Sequence, residues 1–217
     1  MPDQEINRRT FLKVTTVAGT GMLVGCSFQS NPLVSTPDVK PEELGLFVRI
    51  SKDNNITIIS PTSEIGQGTH TAHAMIIAEE LDADWENINV VTTNNINSEY
   101  NTDSWGVYTG GNRGIRFWWD RLRVIGAGTR ELLVTAGAQK MDVPLIECTA
   151  QNGHVVHLPS GRQLSFGELA LIASKLEPSS NPRLKSEEKF RFVGRPMRRV
   201  DIPKKVNGGA IYSSDIR

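Results

Sequence analysis

Cysteine is scarce in this sequence, whose 217 residues include only Cys26 and Cys148. Iron–sulfur clusters and structural zinc ions that bind through cysteine need several thiolates at close spacing, and no Cys-x-x-Cys occurs. The chain is therefore not expected to hold either kind of centre through cysteine. If Cys26 carries a lipid, Cys148 has no cysteine partner within the chain. We expect Cys148 to be a buried, unreactive thiol.

The sequence also lacks net charge and long apolar segments. Its 24 Lys and Arg residues balance 24 Asp and Glu residues, so it has none of the basic excess typical of nucleic-acid-binding proteins. The N-terminal apolar run, residues 14–25, is too short to span a bilayer comfortably. Apolar residues make up 38% of the chain, which is enough for a modest core in one or two domains.

The N-terminus has the features of an export signal. Arg8 and Arg9 lie in the sequence Asn-Arg-Arg-Thr-Phe-Leu-Lys, which matches the twin-arginine pattern of proteins that are exported folded, often with a cofactor in place. Leu-Val-Gly-Cys, ending at Cys26, resembles a lipobox, in which the cysteine is lipidated; the alternative is an ordinary cleavage site nearby. We predict a signal in residues 1–26, a polar tether in residues 27–43, and a periplasmic or cell-envelope protein that meets the membrane only through its signal or lipid anchor.

Alternating apolar residues predict two strands, residues 47–50 and 56–59, joined by a polar turn. A helix follows, because apolar residues recur at helical spacing over residues 72–81, and Thr69 or Thr71 would cap it. Further along the chain, residues 155–158 begin a second hairpin. Ser165 and Glu168 then fit the capping box of another helix.

A Gly-Gln-Gly turn enters the first of these helices and is the most informative feature of the chain. Gly66 and Gly68 have no Cβ, so their backbone N–H groups can approach a ligand closely, while the Gln67 amide can donate and accept hydrogen bonds. The positive end of the helix would face the same turn, which suits an anionic cofactor. A tight strand-to-helix connection without a ligand has the same local pattern.

A second glycine-rich segment precedes a second predicted helix. A strand is predicted at residues 87–93, a long loop at residues 94–114 and a long helix at residues 115–140. Loops of this length in compact domains are usually functional or disordered, and this one ends in a glycine-rich stretch. Because the strand lies between the two turns in sequence, we expect the turns to come together as one concave surface.

Three segments in the same order resemble one protein family. Residues 64–69 with their continuation through residue 85, residues 109–114, and residues 192–216 closely resemble the molybdopterin-binding large subunits of the xanthine dehydrogenase family. Within that family, the exported isoquinoline 1-oxidoreductase beta subunit and aldehyde dehydrogenase type is the most similar. The resemblance implies an α+β fold. Residues 44–189 would form a small mixed sheet with packed helices, part of a molybdopterin-binding domain, and residues 190–217 would start a hammerhead-like α/β domain.

The resemblance also implies which residues bind the cofactor, a molybdopterin dinucleotide expected in its cytosine form. The first turn would lie against the pterin, and the second would hold phosphate at the start of its helix. Relatives usually have serines where this chain has Asn112 and Gly114, so two hydroxyl donors are missing, and Arg113 would compensate by pairing with phosphate. The implied cofactor-binding residues are Gly66, Gln67, Gly68, Thr69, Gly110, Gly111, Asn112, Arg113 and Gly114.

The family's chemistry implies partners and a missing residue. Members oxidise an aldehyde or an N-heterocycle with oxygen from water. Electrons leave through a [2Fe-2S] cluster in a separate small iron–sulfur subunit, with a c-type cytochrome as a candidate acceptor. Their general base is a glutamate in a glycine-rich motif far toward the C-terminus, and this sequence does not contain that motif. We therefore assign no catalytic residue and expect an N-terminal portion of a longer subunit that is inactive by itself.

The other conspicuous polar residues suggest no separate catalytic or metal site. His70 and His73 share a helix face, but no third and fourth ligand stands at a recognised spacing, so no metal ligands are assigned. The adjacent Glu79 and Glu80 are expected to be solvated or ion-paired. An alternative function is a non-catalytic exported lipoprotein, a binding or scaffold module of the same fold whose glycine turns merely close loops.

Overall fold

The computed structural model describes residues 47–93, 100 and 108–215, together with the backbone of residues 13–17 and 21–25. The predicted signal residues Arg8 and Arg9 lie outside the described residues, as do Cys26 and most of the loop predicted at residues 94–114. Within the described part, no helix has both the length and the apolar character that crossing a membrane requires.

The larger sheet has five strands in the order β1-β2-β3-β4-β5. Neighbouring strands from β1 to β4 are antiparallel, whereas β4 and β5 are parallel. The predicted hairpin and the strand after the first helix are confirmed. The described parts of the apolar run assigned to the export signal form β1 and β2, since short runs of Val, Thr and Leu suit a strand as well as a signal sequence. Export stays a prediction. The strands are β1 (Lys13–Val17), β2 (Gly21–Gly25), β3 (Val48–Ser51), β4 (Ile56–Ser60) and β5 (Ile88–Thr92).

The parallel pair positions the first glycine turn. Parallel strands need a crossover connection, which helix α1 (Thr69–Leu81) provides between β4 and β5. Ser60 and Thr92, the last residues of these two strands, are paired neighbours. The turn therefore lies at the carboxyl end of the parallel pair, where open α/β sheets commonly bind ligands.

The predicted long helix is divided in two, which corrects the sequence-based prediction. Helix α2 (Arg113–Arg116) is followed by α3 (Trp119–Met141). Between them the Trp118 N–H bonds to the carbonyl only three residues back, that of Ile115, at 3.1 Å, which tightens the turn. Trp118 is 4% exposed, and its ring centroid lies 5.7 Å from that of Phe47, so it packs in the core.

A smaller antiparallel sheet packs against α3. It contains β6 (Cys148–Gln151), β7 (His154–His157) and β8 (Gln163–Ser165), and it leads into α4 (Phe166–Ala173). The predicted hairpin and capping box are both confirmed. The Glu168 N–H donates to Ser165 Oγ at 3.3 Å, and Glu168 Oε2 accepts the Ser165 N–H at 2.8 Å.

The core lies between the larger sheet and helices α1, α3 and α4. This arrangement of two small sheets with packed helices confirms the predicted α+β class. The proposed boundary near residue 190 and the start of a hammerhead-like domain remain predictions. A short helix, α5 (Ile202–Val206), lies near the end of the described chain. The largest fully buried side chains are those of Phe47, Phe166, Ile50, Ile56, Ile58, Ile77, Leu81, Leu122, Ile125, Leu133 and Leu169.

The adjacent glutamates at the end of α1 bind distant parts of the chain. Glu80, 0% exposed, forms ion pairs with Arg123 at 2.7 Å and Arg130 at 3.3 Å. Glu79 Oε2 accepts three consecutive backbone N–H groups, those of residues 191–193, at 2.6–3.1 Å. From the sequence, these carboxylates are expected to be solvated or ion-paired. They are ion-paired and not solvated, because the C-terminal residues cover this end of the helix.

Cys148 is less buried than predicted. It lies at the start of β6 with intermediate exposure. Burial and the neighbouring Glu147 carboxylate raise the pKa of the Cys148 thiol, which favours the protonated and less nucleophilic form.

Candidate functional site

The side chain of Gln67 closes the Gly-Gln-Gly turn. Its Oε1 accepts the Ile65 N–H at 2.7 Å, and its Nε2 donates to the Ser63 carbonyl and to Thr69 Oγ1, both at 3.0 Å. The amide is bonded through both its oxygen and its nitrogen, so its orientation is set by the protein itself. Gln67 is nevertheless exposed, and the turn forms part of the molecular surface.

Glu64, to which the sequence analysis gave no role, binds the N-terminus of α1. Its Oε1 accepts the N–H groups of Gly66 at 2.8 Å and Gly68 at 2.9 Å, and its Oε2 accepts that of His70 at 3.1 Å. Burial acts to raise the pKa of the Glu64 carboxyl, but these bonds and the nearby Arg199 outweigh it and hold the pKa below its ordinary value. A carboxylate at this end of a helix also interacts favourably with the helix dipole.

Two details of the predicted site are therefore wrong. Gly68, with φ 88°, is the residue that caps α1, and it makes no side-chain cap bond. Thr69 and Thr71 both lie inside the helix. The N–H groups of Gly66 and Gly68, expected to be open to a ligand, are bonded to Glu64. Local spacing could not show that a carboxylate from the preceding loop folds back onto the helix end.

The second glycine-rich turn lies directly beside the first, which confirms their predicted proximity. The Ser63 N–H donates to Thr109 Oγ1 at 3.1 Å, and the same hydroxyl donates to the Ser63 carbonyl at 3.3 Å. A Cβ added to Gly114 would lie 2.8 Å from the Thr69 methyl group, so glycine is what allows α2 to approach α1 this closely. Contact of this surface with a cofactor remains a prediction.

The residues of the second turn differ in their surroundings. Gly114 is buried and serves the packing of α2 on α1, whereas Gly111 and Asn112 are exposed. Asn112 caps α2 in the left-handed conformation, with φ 58°. The Arg113 guanidinium lies over the Phe117 ring, 4.8 Å from its centroid, in a cation–π contact. Asn112 and Arg113 are therefore the polar side chains of this turn best suited to an anion.

Bare backbone is open at three glycines of the two turns. A Cβ added to Gly66, Gly68 or Gly111 would meet no atom of the described residues within 4 Å. All three glycines have positive φ. A ligand can therefore approach the main chain closely at these three points. The exposed amides of Gln67 and Asn112 belong to the same turns. This set of backbone, amide and guanidinium groups fits a pterin that carries phosphate groups.

The two histidines of α1 are bonded to protein groups. His73 is completely buried; its Nε2–H donates to the Gly114 carbonyl at 2.5 Å, and its Nδ1 lies 2.9 Å from Ser60 Oγ. His70 Nε2 lies 2.9 Å from Thr92 Oγ1. Among the residues with described positions, no group of three or more His, Cys, Asp or Glu side chains could hold a metal ion.

His73 is expected to make the fold less stable in mild acid. Burial lowers the pKa of His73 from 6.5 to about 4, against the opposing effect of its bond to Gly114. The unfolded chain therefore binds more protons than the folded chain between these two pKa values. The contribution of neutral His73 to the free energy of unfolding is fully present above the pKa of the unfolded chain. The free energy of unfolding then falls by up to about 1.4 kcal/mol per pH unit as the pH decreases from that pKa to the pKa of the folded chain.

Urea unfolding at pH 7 and pH 5 measures this effect. His73→Gln cannot titrate there, so its free energy of unfolding should change less between the two pH values than that of the wild type. An equal change in both proteins would show that His73 is not the group responsible.

The model of the molybdopterin cofactor-binding domain family matches residues 4–212. Isoquinoline 1-oxidoreductase subunit beta of Brevundimonas diminuta is 32% identical over 98% of this chain and 32% of its own length. Membrane-bound aldehyde dehydrogenase (pyrroloquinoline-quinone) of Gluconacetobacter polyoxogenes is 32% identical over 98% of this chain and 28% of its own. The chain thus spans about a third or less of the length of these relatives.

A solved structure has a weaker similarity. The superposition with quinoline 2-oxidoreductase from Pseudomonas putida 86 covers 57% of this chain and 15% of the length of that protein. Its TM-score is 0.45 and the sequence identity is 19%. A likeness of this size carries no functional argument. The sequence matches, together with the adjacent glycine turns, are what bear on function.

Proposed function

This chain belongs to the molybdopterin cofactor-binding domain family, and we propose that it is the cofactor-holding part of an exported molybdenum hydroxylase large subunit. The proposed reaction is oxidation of an aldehyde or an N-heterocycle with oxygen derived from water. The names of the isoquinoline and aldehyde relatives support this substrate class. The observation that carries the proposal is the pairing of the two glycine turns through Ser63 and Thr109, which joins the turns whose open glycines would face the cofactor.

Each part of the two turns has a proposed task. The open faces of Gly66, Gly68 and Gly111 would admit the cofactor against the main chain. The fixed Gln67 amide would bind the pterin, and Arg113 would bind phosphate through its guanidinium. When bound, the molybdenum centre supplies the oxidation chemistry. Because no residue of this chain is assigned as a general base, we propose that the chain does not turn over substrate by itself.

The proposal extends to the cofactor's form and to partners. We propose the cytosine dinucleotide of molybdopterin and a separate small subunit that carries the [2Fe-2S] cluster. Two cysteines cannot supply a cluster with four thiolates, which supports placing it in another chain. A c-type cytochrome is the proposed electron acceptor.

One observation favours the alternative, a non-catalytic exported lipoprotein. Glu64 and the Gln67 amide already bond to groups within the first turn, so the turn can keep its shape without a ligand. In that case the glycines would only close loops. Bound cofactor distinguishes the two functions.

The test is the cofactor content of the whole protein purified from its native host. We expect equimolar molybdenum and pterin, measured by elemental analysis and by fluorescence of the oxidised pterin, and no pyrroloquinoline quinone. Protein that is folded but free of pterin, or that carries a quinone instead, would contradict the proposal and support the alternative.

Export is predicted to depend on the N-terminal arginine pair. Replacing Arg8 and Arg9 with lysine should leave folded precursor in the cytoplasm, because the twin-arginine route requires the pair, while Lys13→Arg should be exported normally. Fractionation followed by immunoblotting measures this.

In the same fractions, labelled fatty acid should appear in the wild type and be absent from Cys26→Ala. Normal export of the double variant, or equal labelling of the two proteins, would overturn the corresponding proposal.

A further inference from the structure

Arg199 links the C-terminal part of the chain to the first glycine turn. Its Nη1 donates to the carbonyl of Gly66 at 2.8 Å, across 133 positions of sequence. Its Nη2 lies 3.3 Å from Glu64 Oε1, the oxygen that accepts the N–H groups of Gly66 and Gly68. One guanidinium therefore contacts both the main chain of the turn and the carboxylate that organises it.

Asp201 holds the Arg199 guanidinium in place. Arg199 Nε donates to Asp201 Oδ1 at 2.9 Å and Nη2 donates to Oδ2 at 2.7 Å, a two-point contact that fixes the plane of the guanidinium. Lys205 Nζ adds a further bond to Oδ2 at 2.5 Å. The bonds from Arg199 and Lys205 hold the pKa of Asp201 well below its usual range, so this carboxylate stays charged at neutral pH.

The main chain beside Arg199 is attached to α1 as well. The Val200 N–H donates to Thr71 Oγ1 at 3.1 Å, one helical turn from the glycines. The base of the Arg199 side chain and its guanidinium are thus both fixed relative to the turn.

The glycine turn needs such a restraint because of its composition. Glycine loses more conformational freedom on ordering than any other residue, and this turn contains two with positive φ. Bonds within the loop restrain it from one side, through Glu64 and Gln67. Arg199 restrains it from the other side by holding the Gly66 carbonyl.

We propose that Arg199 is a positioning residue for the cofactor-binding turn: it holds the Glu64 carboxylate and the Gly66 carbonyl so that residues 66–68 keep their open face before the ligand arrives. The identity of the ligand rests on the proposed function, whereas the restraint on the turn does not. Preorganisation of this kind raises affinity because less order remains to be gained on binding.

The expected effect is local. Exposed ion pairs contribute little to global stability, and the Arg199 side chain is 33% exposed. Glu64, by contrast, is only 8% exposed at its side chain and depends on Arg199 as a cationic partner. Loss of Arg199 should therefore loosen residues 64–70 and leave the inner turns of α1 unchanged.

The experiment compares Arg199→Gln, Arg199→Lys and Arg198→Gln in the whole protein. Arg198 is the matched control, since it is the adjacent arginine and is exposed. Hydrogen exchange of the cofactor-free proteins should be faster by roughly tenfold or more over residues 64–70 in Arg199→Gln, with residues 74–81 unchanged. Arg199→Lys should recover part of the protection, and Arg198→Gln should match the wild type.

Pterin content separates this inference from the proposed function. It should fall severalfold in Arg199→Gln, partly recover in Arg199→Lys and stay normal in Arg198→Gln. Wild-type protein without pterin would refute the proposed function, while exchange would still decide the role of Arg199. The inference would be overturned if residues 64–70 of Arg199→Gln exchanged at the same rate as in the wild type, or if Arg198→Gln accelerated their exchange equally. If Arg199→Gln does not fold, the exchange of Arg199→Lys decides in its place.

Discussion

Gly68→Val is expected to remove bound molybdopterin from the whole protein. A Cβ at Gly68 would enter space that is empty of the residues with described positions to a distance of 4 Å, the space assigned to the ligand. A branched side chain at φ 88° also strains the main chain, by about 1–3 kcal/mol. Together these effects should reduce the molybdenum and pterin content at least about tenfold, for which only about 1.4 kcal/mol of lost affinity is needed.

Gly161→Val is the matched control for this variant. Gly161 also has positive φ, 69°, and a Cβ there would stand in space free of described atoms, but it lies in the connection between β7 and β8. It should suffer similar strain and keep its pterin. Equal loss of pterin in both variants would show that strain alone is responsible, and full pterin content in Gly68→Val would refute the assigned position of the ligand.

Glu80→Ala should have the largest effect on stability. The Glu80 carboxylate is fully buried and pairs with Arg123 and Arg130, whose side chains are only 12% and 15% exposed. Removing it leaves two largely buried cations without that partner and also removes the acceptor of the Lys185 N–H, at 2.9 Å. Breaking a buried ion pair from one side costs about 3–5 kcal/mol, so the free energy of unfolding should fall by about that amount.

Glu86→Ala provides the comparison for Glu80→Ala. Glu86 is exposed and lies just beyond α1, and an exposed substitution of this kind should change the free energy of unfolding by no more than about 0.5 kcal/mol. Urea denaturation of both variants measures the difference. A loss below about 1 kcal/mol in Glu80→Ala would mean that the two arginines find water or other partners instead.

Features set by neighbouring residues could be predicted from the sequence. The alternating apolar residues and the polar turn between them predict β3 and β4, and the Ser165–Glu168 spacing predicts the capping box of α4. The proximity of the two glycine turns could also be predicted, because β5 lies between them in sequence and pairs with β4. In each case the partners are close in sequence or joined by one crossover.

Features that depend on distant partners could not be predicted. Arg199 reaches Gly66 across 133 positions, and Glu79 binds the N–H of Val193 across 114. No periodicity or local motif specifies such pairs. The division between α2 and α3 could not be predicted for a related reason, since Trp118 turns into a core that includes Phe47, the residue just before β3 and far earlier in the chain.

Hydrogen exchange of the wild-type protein with and without its cofactor shows whether the two glycine turns form one cofactor-binding surface. The cofactor should slow exchange in residues 65–69 and residues 110–114 together, while the β7–β8 connection at Gly161 is unaffected. Protection of only one turn, or of neither in protein that retains its pterin, would contradict it.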